Sequence, residues 1–378
     1  MAILGILKET GGENRVSIVP ENISQLNHLK LKICVEKGAG EKAFISDQDY
    51  ISAGAEVYDR EQIISASGII TSVNPPENNI LSAVNQNCVI ISVFNPFANR
   101  SSLKILLERK ITAFSLELMP RTSRAQIMDV LSSQATAAGY KAVIEAASHL
   151  KKFFPMLMTA AGSIRPAKVL VLGAGVAGLM AISTARRLGA VVEAFDTRKA
   201  VKDEVQSLGA KFVEVEGARD DLTSGGYAVE QSEEYIHKQR TVIREHAVKS
   251  DIIISTAQIP NRKAPLLITA ETVHAMKPGS VIVDMAASTG GNCELTENGK
   301  TIDVNGVTII GNSNLASGLS SDASLMYGKN LVNFIKLIVR NGVINPDFTD
   351  ELVCGTCISY NGEIINERLK AHFNGTDN

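Results

Sequence analysis

The stretch that decides the fold is Val169–Ala190, VLVLGAGVAGLMAISTARRLGA. Val169 to Leu172 read as a buried strand. Gly173, Gly175 and Gly178 follow at GxGxxG spacing, and the run behind them reads as a helix that stops at Gly189. The next strand, AVVEAFD, ends in Asp196, 23 residues past Gly173. A strand, a glycine turn, a helix and a second strand ending in an acid make up the full context of a dinucleotide fingerprint. Gly173 permits the tight turn, Gly175 lets a pyrophosphate approach the backbone, and Gly178 lets helix and strand pack closely. Ala174, Val176 and Ala177 complete the turn, at a helix start whose unpaired N–H groups and dipole favour an anion. Asp196 is placed to accept hydrogen bonds from ribose hydroxyls and to repel a 2′-phosphate, so the motif predicts NAD(H) rather than NADP(H). Thr197 and Arg198 continue that edge. Arg198 argues for the 2′-phosphate, but Asp196 holds the ribose position itself, which makes the arginine secondary.

Outward from this turn, KVLVL, AVVEAFD, KFVEV, DIIIST, SVIVDMA and GVTIIG alternate with helical stretches. Six apolar strands with intervening helices predict a doubly wound parallel sheet. A charged helix is expected from about Gln231 to Lys249. Residues 1 to about 115 repeat the α/β theme, with AILGILK, KICVEK, SGIITSV and NCVIISV as strands and SSLKILLERK as a helix. They carry no phosphate fingerprint. Leu325, Leu331, Phe334, Ile335 and Ile338 recur at a helical period, and that helix should return the chain to the first domain. ELVCGTCISYNGEIIN reads as a closing hairpin with Asn361-Gly362 as its turn. The expected architecture is α/β: two Rossmann-like doubly wound domains, residues 1–134 plus 319–378 and residues 135–318, with a nucleotide cleft between them.

Composition narrows the function classes. The 378 residues are 45% hydrophobic and 21% charged, with a net charge of −2, values of an ordinary globular chain with no nucleic-acid or anionic-membrane surface. The N-terminus MAILGILKET lacks a basic segment followed by an apolar one, so no signal peptide is expected. The longest apolar run, Val169 to Ile182, is too short for a bilayer and is broken by three glycines. Five scattered cysteines argue against a disulfide framework. Cys354 and Cys357 have metal-like spacing, but no second pair completes a site. They read as reduced thiols on a strand, where positions three apart face opposite ways.

Pro120–Gln134, PRTSRAQIMDVLSSQ, is unusually polar. Ser123 with Gln126 fits a capping box for a helix beginning near Arg124, and Asp129 then reads as an early-turn acid. That accounts for two groups and leaves Arg121, Ser132, Ser133 and Gln134 unexplained. An acid or base for a small-metabolite dehydrogenase is also missing. His28, His149, His237, His246, His274 and His372 all lie in polar helical or terminal segments and read as solvated surface residues.

The run VLVLGAGVAGLMAISTARRLGAVVEAFDTR, with RVSIVP, PRTSRAQIMDVLSSQATAAGYKAV, MTAAGSIRPAKV, GGYA and MKPGSVIVDMAASTGGNCELT, resembles the alanine dehydrogenase/transhydrogenase family over essentially the whole chain. The closer likeness is to the NAD(H)-binding component of its proton-translocating NAD(P) transhydrogenase branch. Alanine dehydrogenases carry a catalytic Lys in a KxKEP-like segment and a catalytic His in a YLHLA-like segment. Here the matching stretches are SVNPPE and SVFNPFA, with Asn74 at the Lys position and no His near Asn95. Arg15, which would bind a substrate carboxylate in alanine dehydrogenase, remains. Transhydrogenation passes hydride directly between two nicotinamide rings and needs no such base, only rings held about 3–3.5 Å apart.

The resemblance implies that Arg121, Gln126 and Asp129 hold the nicotinamide, with Ser132 one turn further on. At spacing three, Gln126, Asp129 and Ser132 would share a helical face, and Arg121 would pair with Asp129 or donate to the ligand. It implies that TSGGYA is a closing loop, with Gly225 and Gly226 as hinge and Tyr227 as lid. It places Ala257 and Gln258 against the adenosine or ribose, in a loop whose Gln258, Asn261 and Arg262 depart from the family pattern. NADP(H) and the proton path would belong to separate NADP(H)-binding and membrane-spanning subunits. This chain would be a homodimer, cytoplasmic and held at the inner membrane through those partners. A soluble amino-acid dehydrogenase and an NAD(H)-binding module without chemistry are the alternatives.

Overall fold

The computed structural model describes residues 1–215, 217, 232–259 and 262–374. It divides into two units, Met1–Gln134 with Ser317–Asn378, and Ala135–Ala316.

The second unit is built on seven strands among the described residues. In spatial order they are Lys211–Val213, Val191–Phe195, Lys168–Leu172, Ile252–Ser255, Val281–Asp284, Val307–Gly311 and Lys300–Val304. The first six are parallel and follow the Rossmann order, third-second-first-fourth-fifth-sixth along the chain. Both sheet faces are buried, which is why these strands are continuously apolar. Val169, Val171, Ile252 and Ile254 face one layer, with Ala181, Ile182 and Ala185 of helix Val176–Arg187. Leu170, Leu172 and Ile253 face the other, with Ile243 and Ala247 of helix Glu233–Ala247. The antiparallel edge strand Lys300–Val304 is the addition to the expected six. Its residues alternate between exposed and half-buried, so it lacked the apolar run that marks the others.

The first unit holds a comparable sheet in the order Cys357–Ser359, Thr112–Ser115, Val89–Ser92, Ile69–Thr71, Ile3–Ile6, Lys32–Glu36 and Glu56–Tyr58. All neighbours are parallel except Cys357–Ser359 against Thr112–Ser115. Helix Ser320–Ile338 buries Tyr327, Leu331, Phe334, Ile335 and Ile338 against it, the face its periodicity predicts. Phe334 meets Phe114 edge-on, with ring centroids 5.2 Å apart.

The C-terminal segment differs from the expected hairpin. Glu351–Thr356 is a helix, capped by the Asp350 carboxylate accepting from the Leu352 amide, and the strand is confined to Cys357–Ser359. Cys354 is therefore helical and Cys357 starts the strand. All five cysteines are free; Cys354 is half-buried and the other four are buried. The Asn361-Gly362 turn is present, with φ of 52° and 87°, but the hairpin shrinks to one bridge between Tyr360 and Glu363.

Candidate functional site

The glycine turn joins strand Lys168–Leu172 to helix Val176–Arg187. Gly173 has φ of 97°, and a Cβ there would lie 2.6 Å from the Thr256 hydroxyl. A Cβ on Gly178 would lie 1.9 Å from the Gly173 carbonyl oxygen, so helix and turn touch through backbone. Gly175 differs: the nearest atom to a Cβ there is Arg198 Nη2, at 3.9 Å. Open space above Gly175, at the start of a twelve-residue helix beginning with Val176 and Ala177, is the cradle a pyrophosphate needs.

Asp196 closes this edge. Its Oδ2 accepts from the Ala174 amide at 2.7 Å and from Arg198 Nη2 at 2.7 Å; its Oδ1 accepts from the Arg198 amide and Nε, each at 2.9 Å. Arg198 is therefore a direct partner of the acid, not a bystander. It occupies acceptor positions that ribose hydroxyls would use and holds its positive charge over the turn. Thr197 lies between the two residues.

The facing wall is the segment after strand Ile252–Ser255. The Thr256 hydroxyl donates to the Gly173 carbonyl at 3.1 Å, the Ala257 carbonyl accepts from Asn292 Nδ2 at 2.9 Å, and Gln258 Nε2 donates to the Met285 carbonyl at 3.3 Å. Arg262 is exposed. Asn261, and Gly225, Gly226 and Tyr227 of the expected closing loop, lie outside the described residues.

In the first unit, Pro120–Gln134 folds otherwise than its capping signal implied. Ser123–Met128 is a 3-10 helix, Asp129 is extended with φ −75° and ψ 91°, and the α-helix begins at Val130. Ser123 is not the cap residue, and Gln126, Asp129 and Ser132 share no continuous α-helical face. The reason is local: Asp129 Oδ1 accepts from the Ser132 amide at 2.9 Å and Oδ2 from the Ser132 hydroxyl at 2.6 Å. Asp129 thus caps the helix that follows it. Ala125 and Met128 anchor the 3-10 turn in the core, and the Ile127 carbonyl accepts from Asn330 and Asn333. Arg121 and Gln126 are left on the exposed side. Ser133 bonds back to the Val130 carbonyl, and Gln134 bridges Arg15 and the Ala323 carbonyl, so those two polar groups have structural roles.

Arg15 Nε and Nη2 meet the two oxygens of Glu13 at 2.8 and 2.7 Å. Burial pushes the Glu13 carboxyl up, but the Arg15 fork outweighs it and holds the pKa at about 2. Asn74 Nδ2 reaches both Glu13 and Glu9 at 3.3 Å. Glu9 is pushed to about 7 by burial, with the Glu13 charge adding to it, although the Val73 and Asn74 amides donate to its oxygens. Burial also raises Glu117. Two carboxyls with raised pKa thus sit just beyond parallel strands of this sheet, where the sequence offered no acid or base. Nothing near LKET marks Glu9; its neighbours Glu13 and Asn74 come from the folded chain.

The shift of Glu9 has a measurable sign. A carboxyl whose pKa rises on folding lends stability fully below its unfolded value, and that contribution is lost as pH rises through 7. Relative to Glu9→Gln, the wild type should lose about 3 kcal/mol between pH 4.5 and pH 8. Urea midpoints of both proteins across that range check this; parallel curves would refute it. The histidines stay peripheral: all six are exposed or half-buried on helices, with His246 beside Glu193 and His149 bonded to the Glu145 carbonyl.

Two family models match the chain, "Alanine dehydrogenase/PNT, N-terminal domain" over residues 5–138 and "Alanine dehydrogenase/PNT, C-terminal domain" over residues 142–367. The chain is 45% identical over 368 residues to the first portion of the NAD(P) transhydrogenase alpha subunit of Rhodospirillum rubrum, a separate chain there, covering 95% of this chain and 96% of that protein. It is 41% identical to the protein of the same name from Rickettsia prowazekii, covering both chains fully. The crystal structure of transhydrogenase from Sinorhizobium meliloti superposes with a TM-score of 0.88 at 43% identity, over 96% of this chain and all of that one. An L-alanine dehydrogenase structure superposes at 0.82 with 23% identity, over 99% of each chain, a likeness of fold. Matched from end to end by both halves of one family, the chain belongs to the alanine dehydrogenase/PNT family.

Proposed function

We propose that this chain is the NAD(H)-holding component of a transhydrogenase, exchanging hydride between NADH and NADP⁺ carried by a partner subunit. The observation that carries the reading is a complete dinucleotide cradle in a chain with Asn74 and Asn95 at the alanine dehydrogenase Lys and His segments. Gly173, Ala174, Gly175, Val176, Ala177 and Gly178 would receive the pyrophosphate, and Asp196, Thr197, Arg198, Ala257 and Gln258 the adenosine side. Gly226 and Tyr227 would close over it. When bound, NADH supplies the hydride. Arg121, Gln126, Asp129 and Ser132 would orient its nicotinamide, and no proton acceptor is required of the chain. Asp196 favours the unphosphorylated ribose.

The names of the relatives support a multi-subunit setting. The partners would be an NADP(H)-binding subunit and a membrane-spanning subunit that moves protons, with this chain a homodimer at the cytoplasmic face of the inner membrane. Among the described residues no helix is long and apolar enough to cross a membrane.

The near-neutral Glu9 favours a second reading, an amino-acid dehydrogenase using that carboxyl as base. One pair of assays separates the two. The purified chain with L-alanine and NAD⁺ should give no NADH absorbance. The same chain mixed with membranes bearing the partner subunits should reduce an NADP⁺ analogue at the expense of NADH. Turnover of alanine by the chain alone would reject the transhydrogenase reading.

A further inference from the structure

The crevice of the second unit lies where its strand order reverses, between Lys168–Leu172 and Ile252–Ser255. One lip is the Gly173 turn and the other is Thr256–Gln258. The lips are nearly in contact: a Cβ on Gly173 would lie 3.1 Å from the Ala257 amide nitrogen. The second lip is held from behind by Asn292, which has no exposed surface. Its Nδ2 donates to the carbonyls of Ala257 at 2.9 Å and Pro265 at 2.8 Å, and its Oδ1 accepts from the Ser255 hydroxyl at 2.6 Å. Its own carbonyl accepts from the amides of Leu267 and Ile268. Two donors and one acceptor are in use, a set that Asp and Ala cannot supply.

Asn292 is in turn fixed by Asp284, at the end of the neighbouring strand and equally buried. Asp284 Oδ2 accepts from the amides of Asn292 at 2.8 Å and Cys293 at 3.0 Å and from the Thr296 hydroxyl at 2.8 Å; Oδ1 accepts from the Ala286 amide at 3.0 Å. The loop wraps the carboxylate so closely that a Cβ on Gly291, at φ 75°, would lie 2.9 Å from Oδ2. A buried carboxylate with this many directed donors holds its loop in one conformation.

We infer that Asp284 and Asn292 are positioning residues for the dinucleotide, setting the distance between the Ala257 lip and the glycine turn without touching ligand themselves. The inference rests on reading the crevice as an NADH site. The relay runs from the Asp284 carboxylate to the Asn292 backbone, then through the Asn292 amide to the Ala257 carbonyl. Loss of the amide donors releases the lip from its strut while leaving the glycine turn and Asp196 intact.

The test is fluorescence titration of the full chain with NADH, with ADP as competitor, on wild type, Asn292→Ala and Asn292→Asp, well below their melting temperatures. Both variants should weaken NADH about tenfold or more, and ADP by the same factor, because the lip serves the half that the two ligands share. A purely structural role would lower the melting temperature and leave the affinity of the folded protein unchanged. Should the Asn292 variants fail to fold, Ser255→Ala removes only the hydrogen bond into Oδ1 and should weaken NADH about threefold. Wild-type binding with unchanged affinity in the folded variants, or in Ser255→Ala where those do not fold, overturns the inference and leaves the functional proposal standing. Absence of NADH binding by the wild type overturns both.

Discussion

Asp129→Asn should slow hydride transfer to the partner's nucleotide about a hundredfold, while NADH affinity falls only a few-fold. The substitution isolates charge. Asn caps helices about as well as Asp, and its amide oxygen can still accept from the Ser132 N–H that Asp129 now holds at 2.9 Å. The 3-10 turn before it stays anchored by Ala125, Met128 and the clamp on the Ile127 carbonyl. What disappears is a carboxylate beside the face that Arg121 and Gln126 present. One lost charge-assisted contact is worth about 1.5–3 kcal/mol, or roughly one to two decades. If that energy serves alignment of the two rings, it falls on the rate; if it serves binding, it falls on rate constant and affinity alike. Arg121→Ala should follow the same pattern. Rapid-mixing kinetics of the reconstituted complex, set beside NADH titrations, separate the cases. Equal losses in both would remove the positioning role.

The glycines should divide into two kinds. Gly178→Ala drives a methyl to within 1.9 Å of a backbone oxygen, which cannot rotate away. The helix must part from the turn, at a cost of about 3 kcal/mol in stability and the loss of measurable NADH binding. Gly175→Ala meets nothing nearer than 3.9 Å, so the melting temperature should hold. NADH affinity should nevertheless drop about tenfold to a hundredfold, because the methyl fills the space a pyrophosphate would take. Calorimetry and titration on both variants give a crossed result: one unstable and non-binding, the other stable and weakened. Wild-type affinity in Gly175→Ala would mean that the phosphates do not lie on this turn.

The parallel core of the second unit was legible in sequence because strands buried on both faces must be apolar throughout, as Ile252–Ser255 and Val281–Asp284 are. Edges were not legible. Lys300–Val304 alternates because one face meets water, and Glu56–Tyr58 is too short to carry a pattern. Capping signals misled where two competed. Ser123 and Gln126 satisfied the motif, but Asp129 with Ser132 satisfied it better three residues on, and the α-helix begins there. Asp350 did the same at the C-terminus, turning an expected strand into a helix. The glycine turn and Asp196 were legible because their chemistry is local. The tie of Arg198 to Asp196 and the elevation of Glu9 were not, since both follow from rotamers and long-range neighbours that no spacing encodes.

The distribution of the cysteines has a practical consequence. Burial pushes the Cys88 and Cys357 thiols up to about 12 and Cys293 to about 11, and Cys34 is raised as well. Four of the five sulfurs are therefore both shielded and protonated at neutral pH, and thiolate is what a maleimide attacks. Cys354, half-buried on a short helix, is left as a natural attachment point for a single dye or spin label. Distance measurements between labelled copies, or to a labelled partner, can begin from the unmutated chain.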